Sequence, residues 1–481
     1  LRKVIEINPD SADAYYNLGK ILKGLGKLQE AKQSFETSLE LDPKAIHRVS
    51  NLLTVLSLLY LWDEVEKYSH YLNLIGIEGK GITPLGLMYY EDNPLNHLKR
   101  AAKYTKENRK EALPNIYHKK TKKINIGYFS SDFRNHPITH LLTRVLELHD
   151  QSKFSIYAYS LNSINDNYTK RVKDAVFCYR EIHNLSDHEI VRIARNDQID
   201  IAIDLNGYTK NNRMSIFSYR VAPIQINYLG YTGSLGSESY DYILSDKIII
   251  PEKNKKFYTE KVLYLPNSSF PYDNTREILN NKYSREQLGL PSDGFVFACF
   301  NNIQKITRKE FKIWMRLLQK VEGSVLWLIK PDNVSIKNFY SELNNYDIDK
   351  ERIVFAEKCK LDDHLSRHYC ADLFLDTFNF NAATTAMWAL SCGLPLITKL
   401  GNSFSARMAA SILNACNLNE LVTNNSSEYE SLAYKLATNK EQLSYIRDKL
   451  IHKKDLPFFD SYKFTNELES IYTNLITTNY I

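Results

Sequence analysis

From Ile124 onward the sequence alternates between short apolar runs and amphipathic stretches, and it does so twice. The first series is INIGYFS (124–130), FSIYAYSL (154–161), IDIAIDL (199–205), IQINYLG (224–230) and DYILSD (241–246). After a Pro- and Asn-containing break over 266–293 comes a second: FVFACFN (295–301), SVLWLIK (324–330), RIVFAE (352–357), LFLDTF (373–378) and LPLITK (394–399). Such runs read as strands, and helical patterns fill the gaps, at 139–149, 186–196, 308–321, 362–370, 383–392 and 405–416. The chain ends in helical patterns through about Ile476. Strands alternating with helices predict right-handed βαβ units and parallel sheets covered on both faces. Neither series carries a Gly-rich dinucleotide fingerprint. Ligands of such sheets bind beyond the carboxyl ends of the strands, so the site is expected in the cleft between two domains.

The N-terminal part follows a different rule. Residues 10–43, DSADAYYNLGKILKGLGKLQEAKQSFETSLELDP, place Tyr15, Leu18, Gly19 and Leu22 on one helical face. Gly26 marks a turn, Ala31, Phe35 and Ser38 share a face of a second helix, and Pro43 closes the unit. These offsets match the tetratricopeptide repeat. The small Gly19 and Ala31 allow close helix approach, with Tyr15 and Phe35 expected to fill the gap. One repeat cannot bury its own apolar face, so stacked neighbours are expected. Residues 1–9 look like the tail of a preceding repeat, and a chain opening on Leu1 reads as part of a longer one. Residues 46–75 continue as amphipathic helix pairs, followed by a connector with helical patterns around 94–106 and near Lys110 and a basic run, HKKTKK, at 118–123.

Composition narrows the partners. With 62 Lys and Arg against 56 Asp and Glu, the formal charge of +6 is too small for a nucleic-acid footprint. The six cysteines form no C-x-x-C pair and none sits at zinc spacing from a His pair, which suits reduced thiols in the cytoplasm. No apolar run approaches the length that spans a bilayer.

Several blocks share one resemblance. INIGYFSSDFRNHPITHLL (124–142) resembles the first catalytic block of the O-linked N-acetylglucosaminyltransferases and their SPINDLY-type relatives, glycosyltransferase family 41. DLNGYT (204–209), APIQINYLGYTGS (222–234), CFNNIQKIT (299–307), LDTFNFNAATTA (375–386) and SFSARMAAS (403–411) match later blocks in the same order. The resemblance implies a GT-B fold, an α/β catalytic region of two Rossmann-like domains facing a cleft, behind an α-helical TPR-like segment. The implied boundaries are 1–75 for the repeat and repeat-like helices, 76–122 for the connector, 123–275 for the N-terminal catalytic domain and 276–481 for the donor-binding domain with its terminal helices. It also implies an inverting transfer from a nucleotide sugar, UDP-N-acetylglucosamine or a relative, to Ser or Thr of a protein guided by the repeats, with no membrane span, no cofactor and no metal.

Such a transfer must stabilise a diphosphate leaving group. The D-x-D at Asp347 and Asp349 lies in a polar loop and reads as surface, so protein charge and oriented amides have to do the work. Lys305, after the strand FVFACFN, is the expected cation, with Asn302 against the nucleotide. Asn381, Thr384 and Thr385 open a helix whose free N–H groups and dipole favour an anion. The resemblance places His364 and Arg367 on the nucleotide, and Thr209 and Gly230 in the sugar pocket. His136 is the candidate acid–base residue, either removing the acceptor proton or positioning the reactants. Asp204, ending IDIAIDL, is a second candidate base.

Two departures bear on the donor. Relatives usually read N-G-H-T-T in the diphosphate block; this chain has Ala382 and Ala383 there. At or next to the place of a ribose-binding Asp stands Trp388, and an indole cannot accept ribose hydroxyls as a carboxylate does. The alternatives are an O-fucosyl or glucosyl transferase with another nucleotide, or a weakened binding or scaffold protein.

Overall fold

A computed structural model describes residues 2–114, 122–278 and 283–479. Most of the basic run at 118–123 and part of the break at 266–293 lie outside these residues. The strands are β1 (Ile124–Ser130), β2 (Phe154–Ser160), β3 (Cys178–Glu181), β4 (Ile201–Asp204), β5 (Ile224–Asn227), β6 (Tyr242–Ser245), β7 (Lys261–Tyr264), β8 (Val296–Cys299), β9 (Val325–Ile329), β10 (Ile353–Ala356), β11 (Leu373–Leu375), β12 (Leu396–Lys399) and β13 (Val422–Thr423). They form two sheets, ordered β3-β2-β1-β4-β5-β6-β7 and β10-β9-β8-β11-β12-β13. Every pairing is parallel; Ile126 of β1, for instance, lies between Ile156 of β2 and Ile201 of β4. Both sheets are Rossmann-like, as expected for the GT-B class.

All ten apolar runs become strands. The three strands without such a run, β3, β7 and β13, are at sheet edges. There β3 and β7 are half exposed, so no continuous apolar run announces them. The helical pattern near Lys110 is not a helix: Pro94–Asn108 ends first, and residues 109–114 have no regular structure.

The repeat forms as expected from helices Ala12–Gly24 and Leu28–Leu41, with Gly26 at φ 74° between them. A Cβ on Gly19 would lie 2.7 Å from the Phe35 ring, so only glycine lets the second helix come this close. The ring that packs on Phe35 is Tyr16, at 5.7 Å, rather than Tyr15. Leu22, Ala31, Phe35, Leu52, Val55, Leu56 and Leu59 then make one buried cluster, so helix Val49–Leu58 supplies the stacking neighbour that a lone repeat needs.

The chain divides into two compact units. One contains Leu1–Asn96, Ile278–Asn402 and Glu420–Ile451; the other contains His97–Glu277, Ser403–Asn419 and His452–Ile481. This differs from a C-terminal domain running over 276–481. The last helix, Ser461–Asn479, buries Leu468, Tyr472 and Leu475 in the core under the first sheet, with Ile126, Tyr128 and Leu142. Polar contacts fix it there: Tyr128 Oη is 3.1 Å from Tyr472 Oη, and His149 Nδ1 is 3.0 Å from Glu469 Oε1. A helical pattern encodes an apolar stripe but not which sheet it covers.

Candidate functional site

Strand order reverses in each sheet at its first strand, β1 lying between β2 and β4 and β8 between β9 and β11. At such a switch point the loops leaving adjacent strands part, and the crevice admits a ligand. Each sheet therefore has its own polar cluster to account for.

In the second sheet the loops after β8 and β11 meet around Lys305. Its ammonium donates to the Asn381 carbonyl at 2.9 Å and lies 4.5 Å from the centre of the Phe380 ring. Burial lowers its pKa to about 8, against the opposing pull of Asp376. Three residues past Asn381 begins the helix Thr384–Ser391, whose first position is preceded by Ala383 with no side-chain cap. The first-turn N–H groups of a helix have no intrahelical acceptor, so an ammonium and the amino end of a helix sit on one turn. That pairing of Lys305 with the threonine turn is the arrangement expected from the sequence.

The turn is built by residues that sequence reasoning passed over. Asp376, fully buried, accepts on one oxygen from the amides of Thr377 (2.8 Å) and Ala382 (2.7 Å) and from Asn301 Nδ2 (3.0 Å). Its other oxygen accepts from the Thr398 hydroxyl at 2.7 Å. Burial still raises its pKa to about 6. Asn301 also donates to Thr377 Oγ1 at 2.9 Å and accepts from Thr385 Oγ1 at 2.7 Å, tying the end of β8 to the helix start. Glu310, buried in the next helix, accepts from the Phe378 amide at 2.7 Å. The available signal was a polar residue inside or closing an apolar run, Asn301 in FVFACFN and Asp376 in LFLDTF.

The expected donor-binding residues divide accordingly. Thr384 and Thr385 are half-buried at the helix start. Asn381 is fully buried; its amide donates to the Thr377 carbonyl at 2.7 Å, so it shapes the turn from within. Asn302 is exposed, and its side chain accepts from the Gln304 amide at 3.1 Å, so it caps a short turn where its buried neighbour Asn301 does the bonding. Arg367 is buried: Nη1 donates to the Glu357 carbonyl at 2.7 Å, Nη2 meets His364 Nδ1, and the guanidinium lies 4.8 Å over the Phe300 ring. Burial drives His364 down to about 2, so it is neutral; with Nδ1 accepting from arginine, its proton sits on Nε2. Trp388 packs edge-on against the His364 ring at 5.6 Å.

In the first sheet, the loops after β1 and β4 are joined by Asn206. Its Oδ1 accepts from the Ser131 amide at 2.7 Å, and its Nδ2 donates to Asp132 Oδ2 (2.9 Å) and Thr209 Oγ1 (3.1 Å). His136 caps the helix Pro137–Leu148, Nδ1 accepting from the Ile138 amide at 3.4 Å and lying 3.7 Å from Asp132 Oδ2. Burial and the Arg134 charge lower its pKa, while Asp132 raises it. Gly230 is required by contact: a Cβ there would lie 1.9 Å from the Leu205 carbonyl oxygen.

Asp204 does not have the geometry of a base open to substrate. It is 4% exposed, accepts from the amides of Asn206 (2.8 Å) and Gly207 (3.1 Å), and takes the Tyr240 hydroxyl at 2.6 Å. It anchors the turn after β4. Asp204→Ala is therefore expected to cost about 1–3 kcal/mol of stability, the usual result of orphaning buried donors, as read from urea unfolding. Lost turnover at unchanged stability would restore the base role.

A family model described as Glycosyl transferase family 41 matches residues 104–282 and 274–468, which covers both sheets and their loops. The chain belongs to glycosyl transferase family 41. A Tetratricopeptide repeat model matches residues 12–45 of this family 41 chain. It is 33% identical over 360 residues to the Arabidopsis thaliana protein described as a probable UDP-N-acetylglucosamine–peptide N-acetylglucosaminyltransferase SEC, covering 73% of this chain and 37% of that one. It is 31% identical over 363 residues to the SPINDLY protein of Solanum lycopersicum, described likewise, covering 73% and 38%. The chain thus spans little more than a third of the length of these curated relatives. Among solved structures, a mutant O-GlcNAc transferase of Thermobaculum terrenum superposes with a TM-score of 0.82 at 25% identity, covering 98% of this chain and 92% of that one. Among the described residues, no helix is long and apolar enough to cross a membrane.

Proposed function

We propose that this family 41 chain transfers a sugar from a nucleotide sugar to Ser or Thr hydroxyls of protein, with inversion and without a metal ion. The observation that carries the reading is the Lys305 ammonium bonded at 2.9 Å to the turn that opens the Thr384–Ser391 helix. A diphosphate placed there meets a positive charge and oriented amides in a partly desolvated site, where such groups act most strongly. Metal independence is supported by the exposure of Asp347 and Asp349. The protein acceptor is supported by the printed descriptions of the relatives and by the repeat at residues 12–45. In this reading His136 positions the reactants: Nδ1 accepts from the Ile138 amide at 3.4 Å, which leaves Nε2 for a reactant.

One observation favours a second reading of the donor. Trp388 packs on His364, and by register an indole stands at or next to the position of the relatives' ribose-binding carboxylate. That departure motivates an altered donor, such as GDP-fucose or UDP-glucose, as the second reading. A thermal-shift panel of UDP, GDP and their sugars separates the cases. At 100 times its Kd a ligand stabilises the fold by about 2.7 kcal/mol. Binding of none of them makes the chain a scaffold; where one binds, transfer is tested by mass spectrometry of co-expressed protein.

The pH dependence has a definite sign. Lys305 is charged below its pKa of about 8 and neutral above it. A phosphate raises that pKa, so binding releases no proton at pH 7 and takes one up above 8. Affinity for UDP is expected to be flat from about pH 6.5 to 7.5 and to fall above 8 by up to about tenfold per unit, in calorimetric titrations. A flat profile to pH 9.5 would remove Lys305 from the phosphates.

A further inference from the structure

We infer that the helical segment before the first sheet holds the phosphate-binding turn in place, with Trp62 and Tyr89 as positioning residues. The inference rests on the reading of Lys305 and the threonine turn given above, and it concerns what fixes them.

Both loops of that turn are held by residues from outside the second sheet. Trp62 Nε1 donates to the carbonyl of Ile306, the residue after Lys305, at 3.3 Å. The indole is buried 4.6 Å from the Phe311 ring, and Phe311 packs on Phe339. The helix that Trp62 opens, Trp62–Tyr68, ion-pairs with Arg308 through Asp63 and Glu66. The preceding helix end accepts from Ser335 Oγ (2.8 Å) and Asn338 Nδ2 (2.9 Å) through the carbonyls of Leu58 and Leu59. The other loop is held by Tyr89. Its carbonyl accepts from Asn379 Nδ2 at 3.0 Å, and its ring lies 4.9 Å from Phe380. Phe380 is the ring on which the Lys305 ammonium rests. Three residues on, Asp92 accepts from the Asn402 amide at 2.7 Å.

A lysine side chain has four rotatable bonds, and here a single carbonyl and one ring face locate its charge. The ring is set by Tyr89, and the loop that delivers the lysine is set by Trp62. Sites of this kind work only when the supporting contacts hold the charge within a fraction of an ångström, and a displacement of about 1 Å can cost about 10²-fold in rate. The helical segment therefore does more than receive an acceptor: its end braces the leaving-group site.

The test uses the full chain with Tyr89→Ala, Tyr89→Phe and Trp62→Phe. Trp62→Phe keeps an aromatic ring beside Phe311 while removing the bond to Ile306 and part of the buried indole surface. Competitive acetylation of Lys305 across pH 6–11, read by mass spectrometry, reports its protonation and accessibility without any nucleotide. Calorimetric UDP and GDP binding is measured alongside. Tyr89→Ala is expected to move the Lys305 profile upward from near 8 by at least half a unit. It should also weaken nucleotide binding at least tenfold, and Tyr89→Phe should restore both. Trp62→Phe should weaken binding at least threefold in a chain that still unfolds cooperatively, at a somewhat lower midpoint. If Tyr89→Ala fails to fold, Trp62→Phe decides alone, since its acetylation profile must also differ from that of the parent chain. Identical Lys305 profiles in parent and folded variants overturn the inference. A parent chain that binds neither UDP nor GDP overturns the functional reading instead, whatever the acetylation shows.

Discussion

Lys305→Ala is expected to lower turnover by about 10²–10³-fold, the scale on which removing one preorganised charge stabiliser acts. The residue delivers the one ammonium bonded to the turn at the start of the Thr384–Ser391 helix, and Asn381 and Phe380 hold it there. In the proposed transfer the loss should fall on the chemical step, measured as kcat with donor saturating, because charge on a diphosphate leaving group grows as the sugar departs. Stability should move the other way. The folded chain holds this ammonium at a pKa of about 8, below its ordinary 10.5, so the unfolded chain binds more protons between those values. Stability of the parent chain thus rises with pH through that window, and at pH 7 the buried charge is a cost. Removing it leaves the unfolding midpoint equal or higher. Near-normal turnover, or a variant that loses activity only because it unfolds, would show that the site is misplaced.

Asp376→Ala is expected to be the most damaging single change in the second sheet, at about 3–5 kcal/mol, the range for breaking a buried charged network. Its carboxylate takes two backbone amides, the Asn301 amide group and the Thr398 hydroxyl. All four donors lose their acceptor in a site without exposed surface. Denaturant unfolding measures the loss. Asp376→Asn keeps the shape but turns one acceptor into a donor facing donors, so it should recover only part of the stability. Nucleotide binding should fall in both variants, because Ala382 and Asn301 then no longer set the turn. A cost below about 1 kcal/mol for Asp376→Ala would mean that the turn is held by its packing and not by this carboxylate.

Much of this molecule was legible in one sequence. The ten apolar runs are strands because strands covered on both faces have to be apolar along their length. The 34-residue offsets gave the helix pair, since Gly19 and Phe35 occupy one contact. The ordered blocks singled out Lys305 and the threonine turn, and the fold brings the two onto one turn. Other parts failed for identifiable reasons. The edge strands β3 and β7 lack apolar runs because they are half exposed. Tyr16, not Tyr15, meets Phe35, a matter of about one position in helical phase. Asn302 and Asp204 stood out as polar residues at strand ends, yet the first caps a turn and the second is buried as an anchor.

The sequence by itself determined what is local or periodic: which segments are strands and helices, and their parallel arrangement. Only the tertiary structure decided the partners that are distant in the chain. It placed Trp62 under Ile306, Tyr89 under Phe380, and the last helix beneath the first sheet. The physical reason is that hydrophobic patterning is non-directional: it says that a face must be covered, and leaves the covering partner to shape and hydrogen bonding, which exist only once the chain is folded.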